Sequence, residues 1–184
     1  GIVIYACWED VAAYYGTSIY KENFQINEVE KQASSEVQVV VETPNCLTYN
    51  ARVIKNVKIK ESPDFIKSRL MASGIRCINN VVDITNYILV LFGQPLHAFD
   101  QDLLGNKIVV RNAFENETIK TLDDIERKLQ PTDVVITNGE EVCCIGGVMG
   151  CANTEVTNET KNIVLEAAIF NPLSVRKTSS RLGL

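Results

Sequence analysis

Between Lys107 and Gly146 the chain passes through four short β-prone segments, KIVVRNA, ETIKTL, DVVIT and EVCCIG, each bounded by turn residues. Runs of this length rich in β-branched residues read as strands. Asn138-Gly139, between the last two, is a strong hairpin signal, because both residues tolerate the positive φ of a tight turn. A series of this kind obliges the chain to build antiparallel sheet and to cover one of its faces.

Helical signals lie elsewhere. Ile4, Trp8, Val11, Ala12 and Tyr15 recur at helical spacing ahead of Gly16. The stretch TSIYKENFQINEVEKQASSE that follows is polar and without period, so residues 1–36 read as a helix and linker leading into a domain at 37–184. VQVVVET, from Gln38, and ARVIKNVKIK, residues 51–60, are strand-like. Ser62-Pro63-Asp64 is expected to start a helix in the order cap hydroxyl, proline at the first position, acid in the first turn. A second helix is expected over Asn80–Phe92, with Val81, Ile84, Tyr87, Ile88 and Leu91 on one face and Gly93 closing it. NIVLEAAIF, residues 162–170, reads as a buried strand, and Asn171-Pro172 opens a last helix. Helices and strands are segregated rather than alternating, which gives an α+β class.

At 184 residues and 46% hydrophobic the chain can bury a full core. Its net charge of −5 argues against gripping nucleic acid by charge alone. No apolar run approaches the ~18–20 residues of a membrane span, and the opening GIVIYACWEDVAAYYG carries charges that a signal peptide lacks. The six cysteines form no C-x-x-C pair and read as reduced thiols of a cytosolic protein. Cys143, Cys144 and Cys151 with His97 suggest zinc, but neighbouring strand residues point to opposite faces, which disfavours a shared ion. A Cys–His nucleophile pair lacks any local signature.

Three features could carry chemistry. His97, the chain's one histidine, is expected in the loop GQPLHAFD, either working on a substrate or simply packed. Gly146, Gly147 and Gly150 either form a plain turn or let a ligand approach the backbone with N–H groups free. Glu166 interrupts IVLEAAIF: on a central strand its carboxyl is buried and needs a donor, a cation or its own proton, whereas on an edge it faces water. Asn79, Asn80, Asp83, Thr85 and Asn86 add a polar cluster, with Arg76 just ahead of it.

GIRCINNVVDITNYILVLFGQPLHAFD, the glycine cluster GGVMG and NIVLEAAIFNPLSVRKTSSRLGL together resemble the editing domain in the β subunit of bacterial phenylalanyl-tRNA synthetase. The likeness spans roughly residues 51–184. It implies an α+β unit with a β-sandwich-like core that hydrolyses tyrosine wrongly esterified to the tRNA for phenylalanine. It also implies catalytic roles for His97 and Glu166, with Glu166 recognising the tyrosine hydroxyl. Thr85 and Asn86 would line the amino-acid site, Gly147 and Gly150 would form its glycine wall, and Arg76 would stand near the bound tRNA end. His97 is open to two roles, general base or positioning group, and the lack of an evident carboxylate orienter favours positioning. The resemblance implies no metal or cofactor in this region, the ATP and magnesium of the full synthetase being used outside it. Its partners would be the tRNA acceptor end and the α subunit, with no membrane, in the cytoplasm. Cys151 replaces a usual glycine, a change that either narrows the pocket or swaps a wall atom. The family also continues past the position of Leu184 through a segment that closes the pocket. A non-catalytic tRNA-binding or structural module of the same synthetase is the alternative.

Overall fold

The computed structural model describes residues 2–19, 25–26, 28–30 and 32–184. In chain order its elements are α1 (Ile2–Tyr14), β1 (Gln38–Val41), β2 (Cys46–Ile54), α2 (Asp64–Ala72), α3 (Asn80–Phe92), β3 (His97–Asp100) and α4 (Gln101–Leu104), then β4 (Lys107–Asn112), β5 (Thr118–Lys120), β6 (Glu126–Lys128), β7 (Val134–Thr137), β8 (Val142–Ile145), β9 (Met149–Gly150), β10 (Ile163–Phe170) and α5 (Pro172–Leu182).

The strands form two facing sheets and a small hairpin. One sheet has the order β1-β4-β7-β8-β9, the other β2-β10-β3, and β5 pairs with β6. All neighbours are antiparallel except β1 and β4. Phe99, Ile108, Val110, Ile136 and Val164 meet between the two sheets, and each is fully buried. Burial of such side chains stabilises by about 1.5–3 kcal/mol each. The outer face of the larger sheet is covered by a second layer from Ile119, Leu129 and Leu182, that is, by the β5–β6 hairpin and α5. The outer face of the smaller sheet meets α3 through Val81, Ala98, Ile163 and Leu165. The expected sandwich-like α+β core is therefore the observed one.

Local chemistry places α3 and α5. The Asn79 side chain accepts from the N–H groups of Val81 and Val82, and Gly93 closes α3 at φ 74°. Asn171 caps α5 through Leu173 N–H, with Pro172 at its first position. The start of α2 differs from expectation. Pro63 is its cap residue, and the Ser62 hydroxyl instead donates to buried Asp83 at 2.5 Å. The strand expected at 51–60 lies earlier, over Cys46–Ile54, because it is recruited along the whole of β10.

Two further corrections bear on the site. His97 does not sit in a loop: it begins β3, a four-residue strand that pairs with Ile163–Glu166. Cys143 and Cys144 do not diverge to opposite layers. The pairing of β7 with β8 shifts by one residue after Ile136, and both thiols join the core between the sheets. In α1, Trp8, Val11 and Tyr14 remain exposed. Part of the polar stretch expected as a linker, residues 20–24, 27 and 31, lies outside the described residues. Among the described residues, no helix is long and apolar enough to cross a membrane.

Candidate functional site

A cavity of about 810 Å³ opens where β3 and β10 face the turn joining β8 to β9, with α3 and α5 at its flanks. Its wall is mostly apolar, from Val82, Leu122, Ala168 and Phe170 among others. Of the titratable side chains that interrupt that wall, His97 and Glu166 stand side by side on adjacent strands.

Glu166 lies on the central strand of the three-stranded sheet and is 5% exposed, so the water-facing alternative does not hold. Strand alternation aims it, like Val164, toward the space between the sheets. Tyr49, from β2, donates its hydroxyl to Oε2 at 3.2 Å. Oε1 has no partner among the described residues and is not sealed in, so it opens on the cavity. Burial pushes the Glu166 carboxyl up to about 8, against the smaller opposing effect of the Tyr49 hydrogen bond.

His97 is the register partner of Glu166 across β3 and β10. Directly opposed residues of this kind have Cβ atoms about 5 Å apart on one face. Its ring packs edge-on against Phe99, with centroids 4.4 Å apart. The imidazole makes no hydrogen bond to a described residue. The cavity leaves it half-buried, yet protein encloses it closely, and this burial lowers its pKa to about 4. It is therefore a neutral ring at pH 7, with one donor and one acceptor nitrogen.

The glycine cluster is both a turn and a cavity wall. Val148 N–H donates to Ile145 C=O at 2.9 Å, closing a turn in which Gly147 holds φ 71°, the left-handed position that favours glycine. The Gly147 N–H has no acceptor among the described residues. Gly150 is constrained differently. A Cβ there would stand 2.5 Å from His97 Cε1 and 3.0 Å from Nε2, so the imidazole occupies the space that a side chain would fill.

Thr85 and Asn86 reach the cavity from α3. The Thr85 hydroxyl, however, donates to Val82 C=O at 2.7 Å, which leaves it an acceptor toward the cavity. Arg76 stands apart. It is exposed on the connection between α2 and α3, two residues before Ile78, which does line the cavity. Cys151 lies in the layer beneath the hairpin, with Ile119 and Leu129, and does not narrow the cavity.

Sequence reasoning missed Tyr49, and it weighed Cys144 only as a zinc ligand or nucleophile, not as a cavity wall. Alternation along CLTYNARVI puts Tyr49 on the inward face with Ala51 and Val53, a usable signal once that strand is placed. Cys144 lines the cavity, but burial, then nearby Glu166, pushes its thiol well up, which disfavours the nucleophilic thiolate. Burial likewise pushes Cys143 up to about 11 and Cys151 up to about 12. Among the described residues, no group of three His, Cys, Asp or Glu side chains could hold a metal ion.

Residues 45–184 match the family model of the B3/4 domain. The chain is 52% identical over 177 residues to a phenylalanine–tRNA ligase beta subunit of Staphylococcus haemolyticus, a stretch covering 95% of this chain and 22% of that protein. It is 49% identical over 176 residues to the beta subunit of Streptococcus thermophilus, with the same coverage of 95% and 22%. The chain thus spans about a fifth of the length of these relatives. The fold resembles the crystal structure of an N-terminal fragment of the phenylalanyl-tRNA synthetase beta-subunit from Pyrococcus horikoshii. The TM-score is 0.60 at 14% identity, over 89% of this chain and 53% of that one.

Proposed function

This chain belongs to the B3/4 domain family, and from that premise we propose that it is the editing domain of a phenylalanine–tRNA ligase beta subunit. It hydrolyses the ester joining a misplaced tyrosine to the tRNA for phenylalanine. Its partners are the tRNA acceptor end and the ligase α subunit, and it works in the cytoplasm. The ATP and magnesium used for aminoacylation act elsewhere in the ligase.

The observation that carries this reading is Glu166: a buried carboxyl on a central strand, with one oxygen open to a mostly apolar cavity. An apolar pocket rejects an added hydroxyl only about a hundredfold, whereas a site that hydrogen-bonds the hydroxyl rejects the analogue lacking it by roughly 10⁴–10⁵. An editing site has to take tyrosine and leave phenylalanine, and so needs the second kind of wall. Carboxylate and carboxylic acid both meet the need, because a phenol donates and accepts.

At the reacting centre, water adds through its oxygen to the ester carbonyl carbon. The bond to the ribose oxygen breaks, and that oxygen takes up a proton, releasing free tyrosine and tRNA. The unpartnered Gly147 N–H is suited to donate to the carbonyl oxygen as negative charge develops there. Neutral His97 is suited to hold the attacking water through its free nitrogen. With a pKa of about 4 and no carboxylate bonded to its ring, it is a weak base, and positioning is its role.

Single-turnover deacylation of Tyr-tRNA and Phe-tRNA by the full-length ligase tests the reading. Glu166→Ala is expected to slow the tyrosyl ester by at least about a hundredfold and to erode its advantage over the phenylalanyl ester. His97→Ala slows both with less change in their ratio. If Glu166→Ala leaves the ratio intact while His97→Ala collapses it, the two roles are reversed. If neither variant changes a rate, the reading is wrong.

A further inference from the structure

We infer that Tyr49 is a specificity-determining positioning residue: from the neighbouring strand it claims Oε2 of Glu166, and so offers Oε1 alone to a ring hydroxyl in the cavity. The inference rests on the editing reading above and deepens it.

The register makes the contact possible. Ala51 is the partner of Glu166 across β2 and β10, and Tyr49 is the partner of Ala168, so Tyr49 stands on the diagonal of the same face. An aromatic ring spans that diagonal, and the small side chain of Ala51 leaves room beneath it. The outcome is the 3.2 Å hydrogen bond from the Tyr49 hydroxyl to Oε2.

The need for such a donor follows from the carboxyl group itself. The last torsion of a glutamate is broad and roughly two-fold, so an unattended carboxyl presents either oxygen with little preference. One fixed donor breaks that symmetry. It also fixes the proton, because an oxygen accepting from Tyr49 is the carbonyl-like one, which leaves the acidic hydrogen on Oε1. Protonated, Glu166 then donates into the cavity; ionised, it accepts from the same point. A phenol bonds to both forms, more strongly to the ionised one because that bond is charge-assisted, whereas an unsubstituted ring satisfies neither and leaves a buried polar oxygen unmet.

The groups around Glu166 are Tyr49 and Cys46 from β2, Cys144 from β8 and His97 from β3. Burial pushes the Tyr49 hydroxyl far up, so it stays a donor throughout the working range. Both thiols are pushed up as well, chiefly by burial. His97 is neutral, so Tyr49 is the one group in this set that bonds to the carboxyl.

The experiment is single-turnover deacylation of Tyr-tRNA and Phe-tRNA by the full-length ligase, from about pH 6 to about pH 9, with wild type, Tyr49→Phe and Glu166→Ala. Tyr49→Phe keeps the ring and its packing. It is expected to lower the tyrosyl-to-phenylalanyl rate ratio by about three- to tenfold. It is also expected to move the Glu166 limb of the tyrosyl pH profile upward, because the bond that opposed the rise is gone. A monofluorinated tyrosine placed at position 49 retains ring and hydroxyl, strengthens the donor and moves the limb downward. If both substitutions leave the limb in place and the ratio within about twofold while Glu166→Ala collapses the ratio, Tyr49 only packs and the inference fails. If Glu166→Ala itself leaves the ratio unchanged, the editing reading fails, whatever Tyr49 does.

Discussion

Replacing Glu166 by glutamine is expected to stabilise this chain, and by an amount that grows with pH. The folded carboxyl is pushed from an ordinary 4.5 to about 8, chiefly by burial. Its folded value lies above its unfolded one, so its contribution is complete below about pH 4.5 and is lost as pH rises through about 8. At about 1.36 kcal/mol per pH unit, the loss is about 3 kcal/mol at pH 7 and levels off near 5 kcal/mol above pH 8. Glutamine keeps the shape, gives the Tyr49 hydroxyl a carbonyl oxygen to donate to, turns its NH₂ to the cavity and cannot ionise. His97 runs the other way. Its folded pKa is lowered from 6.5 to about 4, so its contribution is present above pH 6.5 and is lost as pH falls through 4. Above about pH 7 the histidine is silent, and the raised thiols, which both proteins share, cancel in the difference between variant and wild type. Thermal melts of wild type and Glu166→Gln at several pH values measure it, since each kcal/mol moves the midpoint by about 2–4 °C in a chain of this size. The variant should melt about 10–20 °C higher at alkaline pH, with the gap closing toward pH 5. Parallel curves for the two proteins between about pH 5 and about pH 8 would refute the reasoning, because Glu166 would then ionise as freely folded as unfolded.

Two further expectations concern the walls of the site. Gly150→Ala places a Cβ 2.5 Å from His97 Cε1 and 3.1 Å from Leu122 Cδ1. The ring, held edge-on against Phe99, has to move, so the variant should lose about 1–3 kcal/mol in urea denaturation and at least about tenfold in deacylation of Tyr-tRNA. An unchanged melt and rate would show that the imidazole is not held there. Under mild alkylation of the native protein, Cys7 is expected to react first and half-buried Cys77 slowly, while Cys46, Cys143, Cys144 and Cys151 stay unmodified. Mass mapping that finds Cys144 labelled early would show that the cavity thiol is accessible and ionised.

Much of this protein is legible in its own local chemistry. Asn79 and Gly93 bound α3, Asn171 and Pro172 open α5, and the β-branched runs of the second half became strands, because caps and turns act over three or four residues. A lone carboxyl in IVLEAAIF implied a buried group in need of a partner if the strand was central and a water-facing one if it was an edge, and β10 is central. The identity of that partner was not legible. Tyr49 and Glu166 are 117 residues apart, and only the pairing of β2 with β10 brings them together. His97 looked like a loop residue beside Pro95, since the four residues of HAFD are too few to show alternation; pairing with β10 made it a strand and set it opposite Glu166. The one-residue slip that turns Cys143 and Cys144 to the same layer is likewise a property of two strands together. Register is settled by which faces can be buried against each other, and a segment carries that information only in company with the segments it meets.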